Sequence, residues 1–217
     1  MNHEDTKKLI LIGASGFGRE VAWLVERINS EKQTWEILGF LDDSPKLINE
    51  KINGYKVLGQ IKDSINYKDA YFVCCIGSSK IRKKIISELE EINPDIKFAT
   101  LVDPSVELSN LVKIGDGSII CAGTILTVNI KIENHVIVNL NSTIGHDTII
   151  NNYVTIYPGV NLSGNCNIGE ATELGTNSSI IQGISIDENN IVGAGSVLIN
   201  DFYSGNTIVG VPGKIIK

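Results

Sequence analysis

The chain has 217 residues and a net charge of −6, from 25 acidic and 19 basic side chains. No segment concentrates Lys and Arg as a protein that binds phosphate backbones requires, so we expect no nucleic-acid partner. Apolar residues make up 42% of the chain, which is enough for a sizeable core. No apolar run approaches the roughly 18 residues that span a bilayer, and the N-terminus is too polar for a secretory signal. We therefore expect a cytoplasmic protein without membrane insertion.

Residues 1–99 alternate predicted strands with predicted helices. Leu9–Ile12 predicts a short buried strand, and the helix after it carries Val21, Leu24, Val25 and Ile28 on one face. Further strands are predicted at residues 37–41 and 71–76. The helix that follows the last of these is expected to turn Ile81, Ile85, Ile86 and Leu89 inward. This alternation predicts a small α/β, Rossmann-like domain whose ligands bind at the carboxyl ends of parallel strands.

Three segments at the predicted strand ends could bind a ligand. The loop Gly13-Ala14-Ser15-Gly16-Phe17-Gly18 opens a helix, where backbone N–H groups can receive a phosphate, or it is only a tight strand-to-helix turn. Asp42 and Asp43 could accept hydrogen bonds from a ribose or a base, or lie in a solvated turn. Residues 77–83, with Ser78, Ser79, Lys80, Arg82 and Lys83, could form an anion site or the start of a solvated amphipathic helix.

Residues 100–217 carry a six-residue repeat. Every sixth residue from Val102 to Leu198 is aliphatic, and all but one of the residues four places further on are small or β-branched, the exception being Asn190. A period of six fits neither a helix nor a coiled coil, but it fits short strands on the sides of a triangular solenoid. The period is unbroken, so we expect smooth coils without an extruded loop. The glycines that follow the aliphatic position are expected to supply unusual backbone angles at the turns; these are Gly115, Gly145, Gly169, Gly175 and Gly193.

His146 is the sharpest candidate for chemistry in the repeat. It lies in Gly145-His146-Asp147, between two axial residues, and is expected on the outer surface. Imidazole titrates near neutrality, and an adjacent carboxylate can orient it as a general base. His135 has the same context without the aspartate and stays a second candidate. His3 is expected in a frayed tail, so we do not expect the three histidines to form a metal site within one chain.

The four cysteines are expected to be buried thiols.

Together, these motifs resemble the hexapeptide-repeat sugar acetyltransferases, in the branch of sialic acid O-acetyltransferases and N-acetyltransferases of nucleotide-linked 4-amino sugars. The resemblance spans nearly the whole chain in order. The segments that carry it, besides the repeat, are residues 12–21, 39–43, 76–82, 145–147 and the ending Val209-Gly210-Val211-Pro212-Gly213-Lys214.

The resemblance implies a left-handed parallel β-helix after the α/β domain, a homotrimer, and acetyl-CoA in the groove between neighbouring solenoids. It implies direct acetyl transfer with His146 as general base and Asp147 as its partner, and no metal. The residues matched to the sugar-nucleotide acceptor are Gly13, Ser15, Gly16, Phe17, Asp42, Asp43, Gly77, Ser78, Arg82 and Asn139, and those matched to acetyl-CoA are Thr155, Gly164 and Ala194.

Three residues depart from the pattern of the family. Phe17 stands where many relatives have histidine, which weakens a hydrogen bond from that position to a nucleotide. Thr155 stands where some relatives have a second histidine near the thioester, although its hydroxyl could still donate. Glu173 interrupts a stretch that is otherwise rich in small residues, and the sequence does not explain it.

The sequence favours acetyl transfer to a nucleotide-linked amino sugar in bacterial surface glycan synthesis. It does not choose between N-acetylation and O-acetylation of sialic acid or another glycan sugar. A metal-dependent solenoid of the carbonic-anhydrase type and a binding or scaffold protein on the same solenoid stay as alternatives. An NAD-linked oxidoreductase is the weakest, because the G-x-x-G-x-G spacing and the small domain both disagree with it.

Overall fold

The structure, a computed structural model, describes residues 6–217; His3 lies outside them. The chain divides into two compact units. The first extends to Gly77 and resumes at Ile81–Pro104, and the second comprises Ser78–Lys80 and Ser105–Lys217.

The elements up to residue 104 comprise a mainly parallel sheet, its helices, and the short strand β7, which is not part of that sheet. They are β1 (Lys7–Ile12), α1 (Gly16–Glu31), β2 (Trp35–Leu41), β3 (Lys51–Ile52), β4 (Tyr55–Gly59), a 3₁₀ helix (Ile61–Asn66), β5 (Tyr71–Cys74), α2 (Ser79–Ile92), β6 (Lys97–Phe98) and β7 (Leu101–Val102). The sheet order is β3-β4-β2-β1-β5-β6, with only the β3–β4 pair antiparallel. Leu9–Ile12 of the central strand β1 are fully buried, as the apolar run predicts. The strand-helix alternation expected from the sequence is confirmed.

Helix α2 differs from its predicted orientation at one turn. Ile86 and Leu89 are buried as expected, but Ile81 is 54% exposed and the neighbouring Arg82 is 1% exposed. The Arg82 guanidinium donates hydrogen bonds to the carbonyl oxygens of Ile76 at 2.7 Å and Gly77 at 3.1 Å. The prediction that Ile81 faces inward is therefore wrong, because the buried position is filled by a cation whose donors are satisfied by backbone carbonyls.

The second unit is a parallel β-solenoid. Its strands are β8 (Glu107–Leu108), β9 (Lys113–Ile114), β10 (Ile119–Ile120), β11 (Ile125–Leu126), β12 (Lys131–Ile132), β13 (Ile137–Val138), β14 (Thr143–Ile144), β15 (Ile149–Ile150), β16 (Thr155–Ile156), β17 (Asn161–Leu162), β18 (Asn167–Ile168), β19 (Glu173–Leu174), β20 (Ser179–Ile180), β21 (Ser185–Ile186), β22 (Ile191–Val192), β23 (Val197–Leu198), β24 (Thr207–Val209) and β25 (Lys214–Ile215).

Three faces result, because each strand pairs with the strand three elements further along. Face 1 contains β10, β13, β16, β19 and β22, face 2 runs from β8 to β23, and face 3 runs from β9 to β21. Residues in register are 18 positions apart, as in the pair Ile119 and Ile137. The register holds in every pair from β8 to β23, so the smooth coils predicted from the unbroken period are confirmed.

The aliphatic sixth residues form the axial core. From Ile120 to Leu198 each is at most 2% exposed. Leu108 is 44% exposed because its strand, β8, ends its sheet and has no coil beyond it. The small residues four places on lie at the corners, where their hydroxyls bond to the next coil; Ser118 Oγ, for example, donates to the Glu133 carbonyl at 2.9 Å and accepts the Val136 N–H at 3.0 Å.

The glycines after the axial position play a different part from the one predicted. Gly115, Gly145, Gly169, Gly175 and Gly193 are all absent from the positions with φ > 0. A Cβ on each of the first four would collide with backbone atoms of the next coil, and a Cβ on Gly193 would lie 2.8 Å from the Val209 side chain. The unusual angles occur two residues later, at positions such as Gly117, Gly123, Asn129, Asp147 and Asn165. The conformational prediction for the first set is therefore wrong: these glycines are needed for close packing between coils, not for turning the chain.

Two further observations concern the described residues. All four cysteines are free and buried, as predicted, and burial raises the pKa of the Cys74 thiol to about 11. Within residues 6–217, no helix combines the length and apolar character needed to cross a membrane.

Candidate active site

His146 and Asp147 lie at the corner between faces 2 and 3, directly after β14. Asp147 adopts a left-handed φ of 58°, and its N–H donates to the Val128 carbonyl of the preceding coil at 3.1 Å. The His146 carbonyl in turn accepts the Asn165 N–H of the following coil at 2.7 Å. The corner is thus fixed by backbone hydrogen bonds on both sides, which leaves the two side chains to point outward.

The two side chains form a hydrogen-bonded pair on the surface. His146 Nδ1 lies 2.8 Å from Asp147 Oδ2, and both side chains are about half exposed, at 50% and 52%. An ionised carboxylate can only accept, so Nδ1 carries the proton and Nε2 holds the lone pair of the neutral imidazole. The hydrogen bonds from His146 and then from Asn129 lower the pKa of the Asp147 carboxyl, which keeps it ionised. This is the arrangement that a general base requires.

Asn129, which the sequence did not single out, completes this group. Its Nδ2 donates to Asp147 Oδ1 at 3.0 Å from the coil before. The signal was present in the repeat, because position 129 is one coil of 18 residues before position 147. No local motif contains both residues.

Gly164 lies beneath the imidazole, one coil after His146. A Cβ at this position would lie 2.5 Å from Nε2 and 2.6 Å from Cε1 of His146, so the ring occupies the space of the missing side chain. Gly164 is buried although it is at a corner. The family resemblance predicts that Gly164 contacts acetyl-CoA; the structure adds a steric reason for glycine here.

His135, the second histidine candidate, is built into a different corner, between faces 3 and 1. It is 5% exposed, has a left-handed φ of 56°, and stacks on Tyr153 of the next coil with ring centroids 5.4 Å apart. Its ring fills the space above Gly117. These contacts indicate a structural residue, and they leave His146 as the exposed histidine of the described coils.

The other coil residues predicted for binding are dispersed. Asn139 is half-buried at the corner between faces 1 and 2, and its Oδ1 accepts the Leu140 N–H at 2.7 Å. Thr155 on β16 is 1% exposed, and Ala194 is exposed near the far end of the solenoid. The structure does not bring these three positions to the corner of His146.

Glu173 now has a physical explanation inside the second unit. Its Oε1 accepts the Ser79 N–H at 2.8 Å and the Ser79 hydroxyl at 2.9 Å, and its Oε2 accepts the Tyr157 hydroxyl at 3.1 Å. The Ser79 Oγ also lies 2.8 Å from the Ala171 carbonyl oxygen, so its single proton is shared between these two acceptors. Because Ser79 is the first residue of α2, the glutamate satisfies a donor at the start of that helix.

In the first unit, Asp42 holds the glycine loop. Asp42 Oδ2 accepts the Ala14 N–H at 2.8 Å, and Oδ1 accepts the Ser44 N–H at 2.9 Å. Gly13 has a φ of 95°, and a Cβ on Gly18 would overlap the Gly13 carbonyl. Ser15 and Gly16 are exposed and Phe17 is half-buried, so a bound ligand would meet the rim of this loop.

The remaining predicted positions are partly engaged by the fold. Asp43 Oδ1 accepts the Ile61 N–H at 2.9 Å. Gly77 and Ser78 are half-buried, and the Arg82 guanidinium is committed to the carbonyls described above. Beside the loop, a shallow groove of about 360 Å³ is lined by Gly16, Arg19, Glu20, Trp23 and Asn53. Across residues 6–217 there is no cluster of three or more His, Cys, Asp or Glu side chains placed to hold a metal ion.

Comparison with known proteins identifies the class of protein to which the chain belongs. The family model described as the PglD N-terminal domain matches residues 8–89. The acetyltransferase domain of PglB from Neisseria gonorrhoeae FA1090 has a TM-score of 0.88 and 30% identity, over 97% of this chain and 100% of that one. WeeI from Acinetobacter baumannii AYE has a TM-score of 0.84 and 31% identity, over 97% and 100%. No curated protein sequence matches the chain.

A third structure, PerB from Caulobacter crescentus, shares the fold, with a TM-score of 0.84 and 23% identity over 97% of each chain. The α/β unit and the left-handed parallel β-helix that follows it, together with these matches, define an acyltransferase of the hexapeptide-repeat class. The chain belongs to the family of hexapeptide-repeat sugar acetyltransferases that contains the PglB acetyltransferase domain. The fold and class expected from the sequence are thereby confirmed.

Proposed function

We propose that the protein transfers the acetyl group of acetyl-CoA to the amino group of a nucleotide-linked 4-amino-4,6-dideoxy sugar in bacterial surface glycan synthesis. The observation that carries the proposal is the exposed His146–Asp147 pair in a chain 30% identical to an acetyltransferase domain that has been solved with acetyl coenzyme A. PerB, solved with CoA and GDP-perosamine, supports a nucleotide-linked amino sugar as the acceptor.

His146 acts as the general base. Its Nε2 takes the proton of the acceptor nitrogen as that nitrogen attacks the thioester carbonyl, and Asp147 stabilises the imidazolium that forms. The carbon–nitrogen bond forms, the carbon–sulfur bond breaks, and the proton passes to the departing CoA sulfur. No acyl-enzyme is needed, because a single base at an open surface serves both proton transfers.

A backbone donor beside the imidazole supports stabilisation of the oxyanion. Among residues 6–217, the Gly164 N–H makes no hydrogen bond, and Gly164 lies directly under His146. A preorganised N–H aimed at developing negative charge is the usual device in acyl transfer. Gly164 and Ala194 would also let the pantetheine arm approach the backbone, whereas Thr155 would have to become accessible before it could donate to the thioester.

The first unit holds the nucleotide of the acceptor. Exposed Ser15 and Gly16 at the start of α1 offer N–H groups and a hydroxyl to phosphates, with Phe17 beside them. Asp42 supports the loop, while Asp43, Gly77 and Ser78 stand at the neighbouring strand ends. Arg82 and Asn139 would contribute through the backbone segments that they stabilise. Cytoplasmic placement follows from the substrates, which are cytoplasmic metabolites.

The active form is a homotrimer. Exposed aliphatic side chains flank the corner of His146 on both faces, at Ile125, Val128, Ile149 and Ile181, each at least 40% exposed. A row of this kind on a β-solenoid is suited to burial against a second solenoid. Light scattering should give a mass of three times 23.6 kDa, and a monomer would contradict this part of the proposal.

Release of CoA thiol tests the reaction. The purified protein is given acetyl-CoA with nucleotide-linked 4-amino sugars, and separately with free sialic acid and other hydroxyl acceptors. We expect turnover with one amino sugar and a fall of about 100-fold or more in His146→Asn. Turnover only with hydroxyl acceptors would replace N-acetylation by O-acetylation.

The matched control is His135→Asn. Asparagine already occupies the equivalent left-handed corner position at Asn141 and Asn177, so the fold accepts it, and the variant should keep its activity. Equal loss in both variants would contradict the assignment of His146. Acetyl-CoA failing to bind to the native protein would favour a scaffold instead.

A further inference from the structure

We infer that Asn129 is a positioning residue for the catalytic base, acting through Asp147. This inference rests on the proposed function and extends it to a residue on a different coil. Asn129 Nδ2 donates to Asp147 Oδ1 at 3.0 Å, and Asp147 Oδ2 accepts from His146 Nδ1 at 2.8 Å. The three side chains form a continuous hydrogen-bonded line along one corner.

The direction of each bond is fixed by chemistry. Asp147 is an acceptor with two oxygens, and each oxygen is occupied by a donor from a different residue. The amide of Asn129 must therefore present its nitrogen. With one oxygen held by Asn129, the carboxylate cannot rotate freely about its side-chain bonds, so the second oxygen stays aimed at Nδ1.

This restraint matters because the pair is on the surface. Both side chains are about half exposed, and water competes for an unrestrained carboxylate. A carboxylate that turns away frees the neutral imidazole to carry its proton on Nε2, which cannot then act as the base. Asn129 thus raises the fraction of His146 in the competent tautomer.

The electrostatic surroundings are simple. On the preceding coil the neighbours are Thr127, Val128 and Asn129, and on the following coil Ser163, Gly164 and Asn165, none of which carries a charge. Asp147 is therefore the charged group that faces His146 from these elements. Changes at position 129 should be transmitted to His146 through Asp147.

Asn129→Gly is the informative variant. Position 129 has a left-handed φ of 55°, and glycine occupies the equivalent corner position at Gly123, Gly159, Gly183 and Gly195, so the change removes the amide without backbone strain. We expect kcat/KM to fall about tenfold, as for the loss of one charge-assisted hydrogen bond. The acid limb of the kcat/KM profile should move to lower pH, since a mobile carboxylate stabilises the imidazolium less.

Two further variants make the test specific. Asn129→Asp introduces a second carboxylate, which favours the imidazolium and should move the acid limb to higher pH, opposite to Asn129→Gly. Asn177→Gly makes the same substitution at a left-handed corner position on another corner and should leave both kcat/KM and the profile unchanged. If Asn129→Gly behaves like Asn177→Gly, Asn129 is only a corner residue and the inference is wrong.

A readout without substrate separates this inference from the proposed function. The ¹⁵N shifts of His146, assigned by comparison with His146→Asn, report which ring nitrogen carries the proton. We expect the Nδ1–H form in the native protein and a mixture in Asn129→Gly. Should every acceptor fail, these shifts still decide the inference, and an unchanged tautomer would overturn it.

Discussion

The imidazole of His146 rests on the α-carbon of Gly164, which lies one coil further along the chain. A Cβ at position 164 would come within 2.5 Å of Nε2, and φ of Gly164 lies outside the left-handed range. The three atoms nearest to that Cβ all belong to the imidazole ring of His146. Since a surface side chain can move aside, residue size at position 164 should affect the proposed role of His146 as base more than it affects stability.

Gly164→Ala should leave the melting temperature within a few degrees of the native value, because only the end of a side chain must shift. Activity should fall about 100-fold, since a displacement of about 1 Å is enough to misalign a base. Gly145→Ala is the contrasting variant: its Cβ would meet backbone atoms of Ser163 and Gly164, so stability should fall. Thermal unfolding and kcat, measured together, test this; unaltered kcat in Gly164→Ala would contradict it.

Asp147→Asn should lower kcat/KM by about 10- to 1000-fold, because the imidazole loses the acceptor that fixes its tautomer. Asparagine suits the left-handed φ at this position, as Asn129 and Asn165 show, so the fold should persist. Rates over a series of pH values check the loss. Activity equal to that of the native protein would exclude Asp147 as the partner.

The same variant should change how stability depends on pH. The pKa of Asp147 is lowered in the folded state, chiefly by His146 and then by Asn129, so its ionised form stabilises the fold above the unfolded pKa, about 4. This contribution is lost as pH falls through the lower, folded pKa. Urea unfolding of native protein and Asp147→Asn should therefore converge at acid pH; a difference that grows on acidification would contradict the sign.

Glu173→Ala should destabilise the second unit by about 2 to 3 kcal/mol, because the buried donors of Ser79 lose a charged acceptor. Glu173→Gln keeps one carbonyl oxygen and should recover about half of that loss. Glu188→Ala, at an exposed glutamate on the solenoid, is the control and should change stability by less than about 0.5 kcal/mol. Denaturant unfolding measures all three, and equal effects at 173 and 188 would show that the hydrogen bonds of Glu173 to Ser79 do not stabilise the unit.

The two kinds of corner glycine should differ in how much stability a substitution costs. Gly169→Ala places a Cβ against the backbone of Asp187 and Glu188 and should cost about 1 to 3 kcal/mol. Gly183 has a φ of 81° with open space around it, and Gly183→Asn should cost less than about 1 kcal/mol, because asparagine tolerates this conformation. Melting temperatures of the two variants give the comparison.

The periodic part of the fold was predictable because one rule decides each residue. An aliphatic side chain every sixth position is buried wherever coils lie on both sides of it, so the pattern gives strand positions and register together. The rule fails at the terminal coil. Leu108 occupies an aliphatic position of the repeat, but it is exposed because no further coil covers it. Arg82 shows the other limit: an amphipathic pattern cannot reveal that carbonyl oxygens at the end of β5 will accept a buried guanidinium.

The site was predicted only as far as residues adjacent in sequence. His146 and Asp147 are neighbours, so their pairing is local, whereas Asn129 and Gly164 meet them across one coil in each direction. Glu173 was inexplicable for the same reason, since its partner Ser79 is 94 positions away. Such long-range partners can be predicted from the sequence only when the 18-residue spacing between coils is used to find the neighbours of the site residues, and not only those of the core residues.

The backbone geometry of the solenoid corners does not depend on which side chains they carry. Position 165 has the same left-handed backbone as position 147, with φ of 56° against 58°, and it makes the same kind of bond to the coil before it. An aspartate at position 165 would therefore find a backbone prepared for it, whereas a histidine at position 164 would also need a smaller residue at position 146 and a glycine at position 182, where glutamine stands. Duplication or deletion of one coil could relocate the reactive centre along the solenoid in whole steps, without breaking a single strand pairing within the coils that remain.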